Sequence, residues 1–232
     1  MTDTKITIGK VKTVFTTSEP DVVLIQYEDK VTAGNGRKVD FPEGKGKVCM
    51  EISEFLFKEV EKHGIRTHYI DTYPERIMCC KKVDIIPVEV VVRNIAAGSI
   101  VRQTTLEEGT EFDSPLVEYF LKDDDKDDPL LTYDRVRLMG IDPQPMKDGA
   151  LLINTILKET FNNIGLTLVD FKLEFGYDSK QNLLLADELS PDGMRLWKDG
   201  TSESYDKDLF RKQKGDIVEA YKYILQQLRG YA

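Results

Sequence analysis

The 232-residue sequence has few residues of the types that mark disulfide-rich or metal-binding proteins. Its three cysteines, Cys49, Cys79 and Cys80, form neither a disulfide framework nor a metal-spaced set. We therefore expect reduced thiols in a cytoplasmic protein. The two histidines, His63 and His68, are too few for a histidine metal site, and we expect both to be structural or surface residues.

The chain also lacks long apolar runs, low-complexity tracts and an excess of positive charge. No apolar run is long enough to span a membrane, and the polar first residues lack a signal-peptide pattern. The formal net charge of -9 argues against broad nucleic-acid binding, although a local basic pocket could still hold a small phosphate ligand. We expect small-molecule partners, with neither nucleic acid nor membrane.

What the sequence does contain is a strong strand pattern at residues 168–176, around which the rest is organised. Asp170, Lys172 and Glu174 alternate strictly with apolar residues. Period-2 geometry places the three charges on one face of a β-strand and the apolar side chains in a core. Charges of alternating sign above so apolar a back face favour the floor of a functional site over an ordinary solvated face.

A turn-rich connector joins this strand to a second apolar strand at residues 183–188, and the pair predicts a β-hairpin. An odd sum of paired residue numbers places Asp187 on the face of Glu174, whereas an even sum presents Glu188 there. Two carboxylates that meet across a hairpin repel unless a cation lies between them. Because oxygen ligands of this kind suit Mg²⁺ completed by nucleotide phosphates, the hairpin predicts an ATP-type magnesium site.

The N-terminal part predicts a mostly antiparallel sheet. Lys10 and Lys12 share one face of a strand predicted at residues 9–15, which is either an exposed edge or a cover for a triphosphate. The segment is not a Walker A loop, because the Gly-Lys-Ser/Thr ending is missing. Further β-like runs continue the sheet: residues 21–27, 67–72, 76–82 and 85–93.

Two turns rich in small residues are candidates for phosphate binding. The glycine-rich loop at residues 32–36 precedes a helix predicted at residues 48–63, although most such loops are simple turns. Arg93 ends a predicted strand and is followed by a turn that contains Ser99. This arginine either pairs with an internal carboxylate or binds a phosphate in bidentate fashion with Ser99, and the bare sequence favours neither.

The second half of the chain mixes helix and strand signals. Ser114 and Pro115 carry helix-start signals, and residues 122–128 form a charge-dense segment that we expect to be a solvated loop. Amphipathic helices are predicted at residues 148–164 and 208–229.

These elements predict an α+β protein of two lobes. The first, residues 1–86, is an antiparallel-sheet lobe that binds the nucleotide. The second, residues 87–232, is an α+β lobe that carries the substrate and metal site. The two lobes pack into one globule with ATP between them.

Six stretches resemble the SAICAR synthetase family, and they follow the family's order and spacing over nearly the whole chain. They are residues 9–13, 87–94, 96–99, 168–176, 187–192 and 206–208. The resemblance implies an ATP-dependent ligase of purine biosynthesis. Such an enzyme condenses 5-amino-1-(5-phospho-D-ribosyl)imidazole-4-carboxylate (CAIR) with L-aspartate through an acyl phosphate, and releases SAICAR, ADP and phosphate. It also implies a cytoplasmic homodimer that uses ATP and Mg²⁺.

By position, the resemblance assigns residues to the nucleotide side of the site. Lys10 and Lys12 would face the ATP phosphates, and Glu174 and Asp187 would hold Mg²⁺. The other implied ATP contacts are apolar walls for the adenine, Val14, Val23 and Ile85, and a backbone edge at residues 80–84 that includes Cys80 and Lys82.

The resemblance also assigns the substrate side. Arg93, Ser99 and Arg195 would bind the ribonucleotide phosphate, and Asp170 and Lys172 would lie near its reacting carboxylate. The residues implied as catalytic are Lys12, Asp170 and Lys172, and those implied near the L-aspartate are Asp206, Lys207 and Arg211.

The chain departs from the family's pattern at two places. Cys49 and Met50 stand where many relatives have asparagine, so no catalytic role is assigned there. Asn35 stands where some relatives have aspartate, in the glycine-rich loop. Neither departure touches the acidic pair or the arginines.

Two other functions remain open. One is an ATP-dependent phosphotransferase that acts on another nucleotide-like substrate. The other is a nucleotide-sensing module that keeps the fold without turnover. A sensor need not retain both Glu174 and Asp187 beside Lys172, whereas turnover needs the metal.

Overall fold

The computed structural model describes residues 5–33 and 36–231, so Gly34 and Asn35 of the glycine-rich loop lie outside the described residues. The N-terminal strands are β1 (Lys5–Ile8), β2 (Lys12–Thr16), β3 (Val22–Tyr27), β4 (Val31–Ala33), β5 (Lys38–Asp40), β6 (Tyr69–Tyr73) and β7 (Ile77–Lys81). One antiparallel sheet has the order β1-β2-β3-β7-β6, and β4 and β5 form a separate hairpin. The N-terminal antiparallel sheet is therefore confirmed for the runs predicted at residues 9–15, 21–27, 67–72 and 76–82. The run predicted at residues 85–93 does not belong to it, because it pairs with two strands of the second sheet.

A second antiparallel sheet is centred on the strand that the sequence singled out. Its members are β8 (Asp84–Ile95), β9 (Glu111–Leu121), β10 (Leu130–Leu131), β11 (Leu166–Tyr177), β12 (Leu183–Ala186) and β13 (Met194–Lys198). The order is β10-β9-β8-β11-β12, and β13 pairs with the first half of β11 beside β12. β11 is thus bonded along both edges, to β8 on one side and to β12 and β13 on the other.

The two sheets are accompanied by α-helices. They are α1 (Lys45–Lys62), α2 (Ser99–Gln103), α3 (Tyr133–Leu138), α4 (Gln144–Asn162), α5 (Asp208–Lys212) and α6 (Ile217–Tyr231). α4 packs on β11 and β8, and α1 packs on β3, β6, α4 and α6. Buried side chains from both sheets and from helices such as α1, α4 and α6 form the main core. The α+β class is confirmed, and no helix in the described residues is long and apolar enough to cross a bilayer.

Two predicted helices differ in the structure. The segment with Ser114 and Pro115 is strand β9, because its alternating pattern pairs with β8 and tertiary pairing outweighs the local start signals. The C-terminal helix is divided into α5 and α6 at Gln213, which has a φ of 54°. Asp216 then begins α6, since its Oδ1 accepts the N–H of Val218 at 2.8 Å.

The strict alternation predicted for residues 168–176 fails at one residue. The register between β11 and β13 shifts between Leu168 and Asp170, which marks a β-bulge. Leu168 therefore joins the main core, whereas Val169 packs in a separate cluster with Trp197. Beyond the bulge, Asp170, Lys172 and Glu174 line connected cavities on one face, as predicted.

The few cysteines and histidines take the structural places expected of them. Cys49, Cys79 and Cys80 are free, buried thiols. His63 is exposed, and His68 is buried beside Cys80, with 3.7 Å between its Nε2 and the cysteine Sγ.

Candidate active site

A row of charges crosses three neighbouring strands. Asp170 on β11 lies opposite Arg93 on β8 and Arg195 on β13. Its Oδ2 accepts hydrogen bonds from Nη1 of both arginines, each at 2.7 Å. Burial raises the pKa of Asp170, and the two guanidinium groups oppose that rise. The row is an Arg–Asp–Arg bridge fixed by the register of the sheet.

A second row would be repulsive without a lysine. Glu89 on β8 lies opposite Glu174 on β11, and like charges at such positions destabilise a sheet. Lys172 donates from Nζ to Glu89 Oε1 at 2.6 Å and to Glu174 Oε1 at 3.0 Å. Burial alone would lower the pKa of Lys172, but the two glutamates raise it above its ordinary value. The remaining oxygen of Glu174, Oε2, accepts from Lys122.

The hairpin adopts the even register of the two left open. Glu174 pairs with Ala186, so strand alternation alone would present Glu188 on the face of Glu174. Asp187 reaches the same site because β12 ends before it and its φ is 63°, which breaks the alternation. Lys12 Nζ lies 2.5 Å from Asp187 Oδ1 and 3.1 Å from Glu188 Oε1. Both acids therefore meet Lys12.

The Lys12–Asp187 pair is ionised at neutral pH. Burial alone would lower the pKa of Lys12, but Asp187 and Glu188 raise it well above its ordinary value. Burial alone would likewise raise the pKa of Asp187, but Lys12 and Lys172 hold it well below its usual range. An ammonium cation and a carboxylate anion are thus in direct contact in the site.

A cavity of about 430 Å³ lies above the second row, and we call it the lysine cavity. Among the described residues, its lining includes the ammonium-bearing side chains Lys10, Lys12, Lys122, Lys172 and Lys207. Lys10 lies in the turn before β2, not on the predicted strand, and its Nζ lies 2.6 Å from Asp124 Oδ1. Lysines on long, flexible stems can exchange a carboxylate for a phosphate oxygen, so the cavity suits a polyphosphate.

A neighbouring pocket of about 330 Å³ has apolar walls, and we call it the apolar pocket. Val14, Val23 and Ile85, the predicted adenine walls, all line it. It shares Lys12 and Lys122 with the lysine cavity, in addition to both predicted metal ligands. A pocket with apolar walls that adjoins a lysine-lined cavity has the polarity for a purine nucleotide.

The predicted backbone edge at residues 80–84 is partly occupied within the protein. Cys80 lies within β7, where it pairs with β3 and β6, and its side chain belongs to the core. Lys82 lines the apolar pocket, but its backbone N–H donates to the carbonyl of Asp21 at 2.8 Å. Val83, between β7 and β8, also lines the pocket. The base contacts of Cys80 and Lys82 stay predictions.

A third cavity, of about 350 Å³, contains the Arg–Asp–Arg row, and we call it the arginine cavity. Arg93 is 4% exposed and donates to four groups: Asp170, Glu118 Oε2 at 2.6 Å, the carbonyl of Ala97 at 3.3 Å, and Ser99 Oγ at 2.8 Å. The internal pairing that the sequence left open is therefore present. Ser99, at the start of α2, is oriented by the same guanidinium group.

Arg195 is held less completely than Arg93. Its side chain is 19% exposed, and its Nε has no hydrogen-bond partner among the described residues but forms an ion pair with Asp208 Oδ2 at 3.6 Å. The guanidinium group lies over Gly98, where a Cβ would come within 2.4 Å of Arg195 Nη2. Gly98 also has a φ of 68°, so both the backbone and the contact require glycine. Arg195 is thus the more available arginine of the two.

Several residues of the site were missed by sequence reasoning. Glu89 lies four residues before Arg93 on β8 and therefore on the same face of the strand. The period-2 pattern applied to β8 would have found it. Lys122 carried no such signal, because its place depends on how β9 pairs with β8. Lys45 is buried at the start of α1 and pairs with Asp192, which also accepts the Tyr221 hydroxyl at 2.9 Å.

The acidic residues fit a magnesium ion that is completed by a substrate. In the described part of the chain, no group of three or more His, Cys, Asp or Glu side chains could hold a metal. Glu174 and Asp187 do line the lysine cavity and the apolar pocket together. Mg²⁺ in nucleotide enzymes is typically bound by one or two carboxylates with phosphates and waters as the other ligands. The donor set fits that pattern.

The sequence model of the SAICAR synthetase family matches residues 5–228. The chain belongs to this family. A phosphoribosylaminoimidazole-succinocarboxamide synthase from Staphylococcus carnosus (strain TM300) is 45% identical over 224 residues, covering 95% of this chain and 96% of the relative. The synthase of the same name from Nostoc punctiforme (strain ATCC 29133 / PCC 73102) is 46% identical over 234 residues, with 97% and 96% covered.

Solved structures agree with this assignment. A SAICAR synthetase (Type-2) in complex with ADP superposes with a TM-score of 0.93 at 40% identity, and the match covers 97% of each chain. The resemblance found in the sequence is therefore confirmed, and the chain is an enzyme that forms a carbon–nitrogen bond.

Proposed function

We propose that the enzyme condenses CAIR with L-aspartate at the expense of ATP, and releases SAICAR, ADP and phosphate in purine biosynthesis. Family membership supports the reaction class. The observation that carries the proposal is that the lysine cavity and the arginine cavity adjoin and share Lys172. One charged side chain on β11 can therefore face a nucleotide on one side and a second anionic substrate on the other.

ATP binds with its adenine in the apolar pocket and its phosphates in the lysine cavity. The related SAICAR synthetase in complex with ADP supports nucleotide binding by this fold. Lys10 and Lys12 neutralise the phosphates, and the N-terminal lobe, residues 1–86, supplies these lysines and most of the adenine walls. The division into this lobe and residues 87–232 remains part of the proposal.

Glu174 and Asp187 hold Mg²⁺ in the lysine cavity. When bound, the ion neutralises charge on the phosphate oxygens and orients the terminal phosphoryl group. Lys12 keeps Asp187 in its ionised, ligand-competent form. Lys172 holds Glu174 in place, since it bridges that carboxylate and Glu89.

CAIR binds in the arginine cavity with its phosphate near Arg195 and Ser99. Arg93 orients Ser99 through one N–H of Nη2, and the second N–H of Nη2 completes the contact with the phosphate. Asp170 fixes both arginines, and Lys172 lies on the same face two residues away, where it meets the reacting carboxylate of CAIR. Asp170 and Lys172 thereby orient CAIR so that its phosphate lies near the arginines and its carboxylate faces the ATP.

The chemistry follows from the poor electrophilicity of a carboxylate. An oxygen of the CAIR carboxylate attacks the γ-phosphorus of ATP, the bond to ADP breaks, and an acyl phosphate forms. The amine of L-aspartate then attacks the acyl carbon, loses a proton, and expels phosphate. Lys12 and Lys172 stabilise the charge that develops on the phosphoryl and carbonyl oxygens.

L-Aspartate approaches from the side of α5. Lys207, just before α5, lines both cavities, and Arg211 lines the arginine cavity. No ion pair of Lys207 is formed within the described residues 5–33 and 36–231. Its ammonium group and Arg211 suit the two carboxylates of the amino acid, and Asp206 caps the turn that carries them.

An omission assay on the purified enzyme tests the proposed function. We expect ADP release to require both CAIR and L-aspartate in the presence of Mg-ATP, with a product of the mass of SAICAR. Full ATP turnover without L-aspartate would instead support a phosphotransferase, and nucleotide binding without turnover would support a sensor. The expected homodimer and the cytoplasmic location stay predictions. Light scattering measures the oligomeric state.

A further inference from the structure

The Lys122–Glu174 ion pair suggests a property of the metal site that goes beyond the proposed reaction. We propose that Lys122 competes with the divalent ion for Glu174, so that metal and nucleotide bind with strong positive coupling. This inference rests on the proposed metal role of Glu174. A nucleotide phosphate draws the Lys122 ammonium group away and thereby frees the carboxylate for the metal.

The geometry makes the two cations mutually exclusive. Glu174 is 3% exposed, and its oxygens are divided between two lysines, Oε1 to Lys172 and Oε2 to Lys122. A divalent ion bonded to Oε2 would occupy the place of the Lys122 ammonium group. The repulsion between the two positive charges at such short range is strong in a site that solvent screens poorly.

Lys122 is the more movable of the two lysines. Lys172 lies in the middle of β11 and is fixed by Glu89 as well as by Glu174. Lys122 instead follows the last residue of β9, and its side chain is 43% exposed. It lines both the lysine cavity and the apolar pocket, so its Nζ can turn toward the phosphates of a nucleotide that spans them.

Linkage fixes the sign of the effect. If nucleotide removes a competitor of the metal, the metal must tighten nucleotide binding by the same factor. Replacing Lys122 by an uncharged residue removes the competitor permanently. The site without nucleotide then binds metal more tightly, and nucleotide binding increases the metal affinity by a smaller factor.

Mn²⁺ binding, measured from the EPR signal of the free ion, tests this inference without any turnover. The proteins are the wild type, Lys122→Met, and Lys126→Met as a matched control. Lys126 is a 66%-exposed lysine of the same segment, and it pairs with Asp123 at 2.6 Å. Each protein is titrated alone and with ADP, after correction for Mn–ADP in solution. Melting temperatures verify that the variants are folded.

We expect Lys122→Met to bind Mn²⁺ at least about tenfold more tightly than the wild type without nucleotide, and to show a smaller effect of ADP. Lys126→Met should match the wild type, and adding Glu174→Gln to Lys122→Met should abolish the gain. Unchanged or weaker Mn²⁺ binding by Lys122→Met overturns the inference, as does a gain that survives Glu174→Gln. The omission assay on the wild type reports separately on the proposed function.

Discussion

The lysine cavity and the arginine cavity share β11 as a floor but hold their positive charges in different ways. In the lysine cavity, Lys10 and Lys122 each pair with one carboxylate and Lys12 pairs with two, all through flexible side chains. In the arginine cavity, Arg93 and Arg195 each donate from Nη1 to the same oxygen of one buried aspartate. The first arrangement can rearrange around a ligand, whereas the second is built before the ligand arrives.

This difference matches what the two anions undergo in the proposed reaction. The ATP phosphates change charge and bonding during phosphoryl transfer, so cations that can follow them are useful. The ribonucleotide phosphate is only an anchor, for which a rigid bidentate donor loses least freedom on binding. Mutations in the lysine cavity should therefore affect mainly turnover, and mutations in the arginine cavity should affect mainly the affinity for CAIR.

The largest effect is expected from the acids of the lysine cavity. Glu174→Gln and Asp187→Asn each remove a metal ligand while keeping the shape, so kcat should fall by about 10²–10³. Circular dichroism should change little. Steady-state rates at saturating Mg²⁺ provide the measurement.

Glu188→Gln is the matched control for these acids. Glu188 also meets Lys12, but only Asp187 lines the apolar pocket together with Glu174. We expect Glu188→Gln to lose much less activity than Asp187→Asn. Equal losses would show that the turn as a whole matters, and near-normal rates for Glu174→Gln and Asp187→Asn would remove both from the metal site.

A smaller, different effect is expected from the arginines. Arg195→Lys keeps the charge but loses the fork, so the CAIR KM should rise about ten- to a hundredfold while the ATP KM changes little. Arg93→Lys should chiefly lower the melting temperature, since it takes donors away from the buried Asp170 and the half-buried Glu118. If both variants changed only stability, the arginine cavity would not be the CAIR site.

Gly98 should show a still smaller effect of the same kind. Gly98→Ala strains a backbone with a φ of 68° and displaces the Arg195 guanidinium group, so we expect a severalfold rise in CAIR KM and a loss of about 1–3 kcal/mol of stability. Gly140→Ala is the control, because Gly140 has a φ of 79° with nothing within 4 Å of a Cβ. It should lose stability without any change in CAIR KM. A shared rise in KM would exclude the Arg195 contact as the cause.

The smallest effect concerns pH and lies beside the arginine cavity. Buried Asp206 accepts the backbone N–H groups of Leu196 and Asp208 at 2.8 and 2.7 Å. Burial raises its pKa to about 7, and Asp208 adds to the rise. Between the pKa of Asp206 in the unfolded chain and pH 7, the folded state binds more protons than the unfolded state. The stability that this group contributes at low pH is therefore lost as pH rises through 7.

Denaturant unfolding of wild type and Asp206→Asn from pH 5 to 8 measures this contribution. The stability of the wild type relative to the variant should fall with rising pH, by at most about 1.4 kcal/mol per pH unit. Asp216→Asn is the control, since Asp216 caps α6 from an exposed position. A pH-independent difference for Asp206→Asn would show that its carboxylate is ionised throughout.

The sequence was sufficient for the parts of the site that follow from strand periodicity. Alternation placed Asp170, Lys172 and Glu174 on one face, and the structure keeps them there. It could not place Asp187, because the left-handed backbone of that residue lies outside any two-residue repeat. Nor could it reveal the bulge at Val169, which depends on pairing with β13.

Longer-range pairing explains the other differences. The helix-start signal at Ser114 and Pro115 is local, whereas the strand they belong to is fixed by β8. The position of Lys122 follows from that same pairing, which is why an apparently solvated segment reaches Glu174. The roles of the site residues were inferred from the family's motifs. The ion pairs that we expect these residues to use became visible only in the structure.

Transfer of oxygen from CAIR to phosphate tests the central claim most directly. If the CAIR carboxylate in the arginine cavity attacks ATP in the lysine cavity, CAIR labelled with ¹⁸O in its carboxylate must pass one labelled oxygen to the phosphate released in each turnover. Mass spectrometry of the phosphate measures this. We predict one ¹⁸O per phosphate formed. Phosphate without label, together with a labelled oxygen lost to water, would contradict the proposed acyl phosphate and the roles of the two cavities.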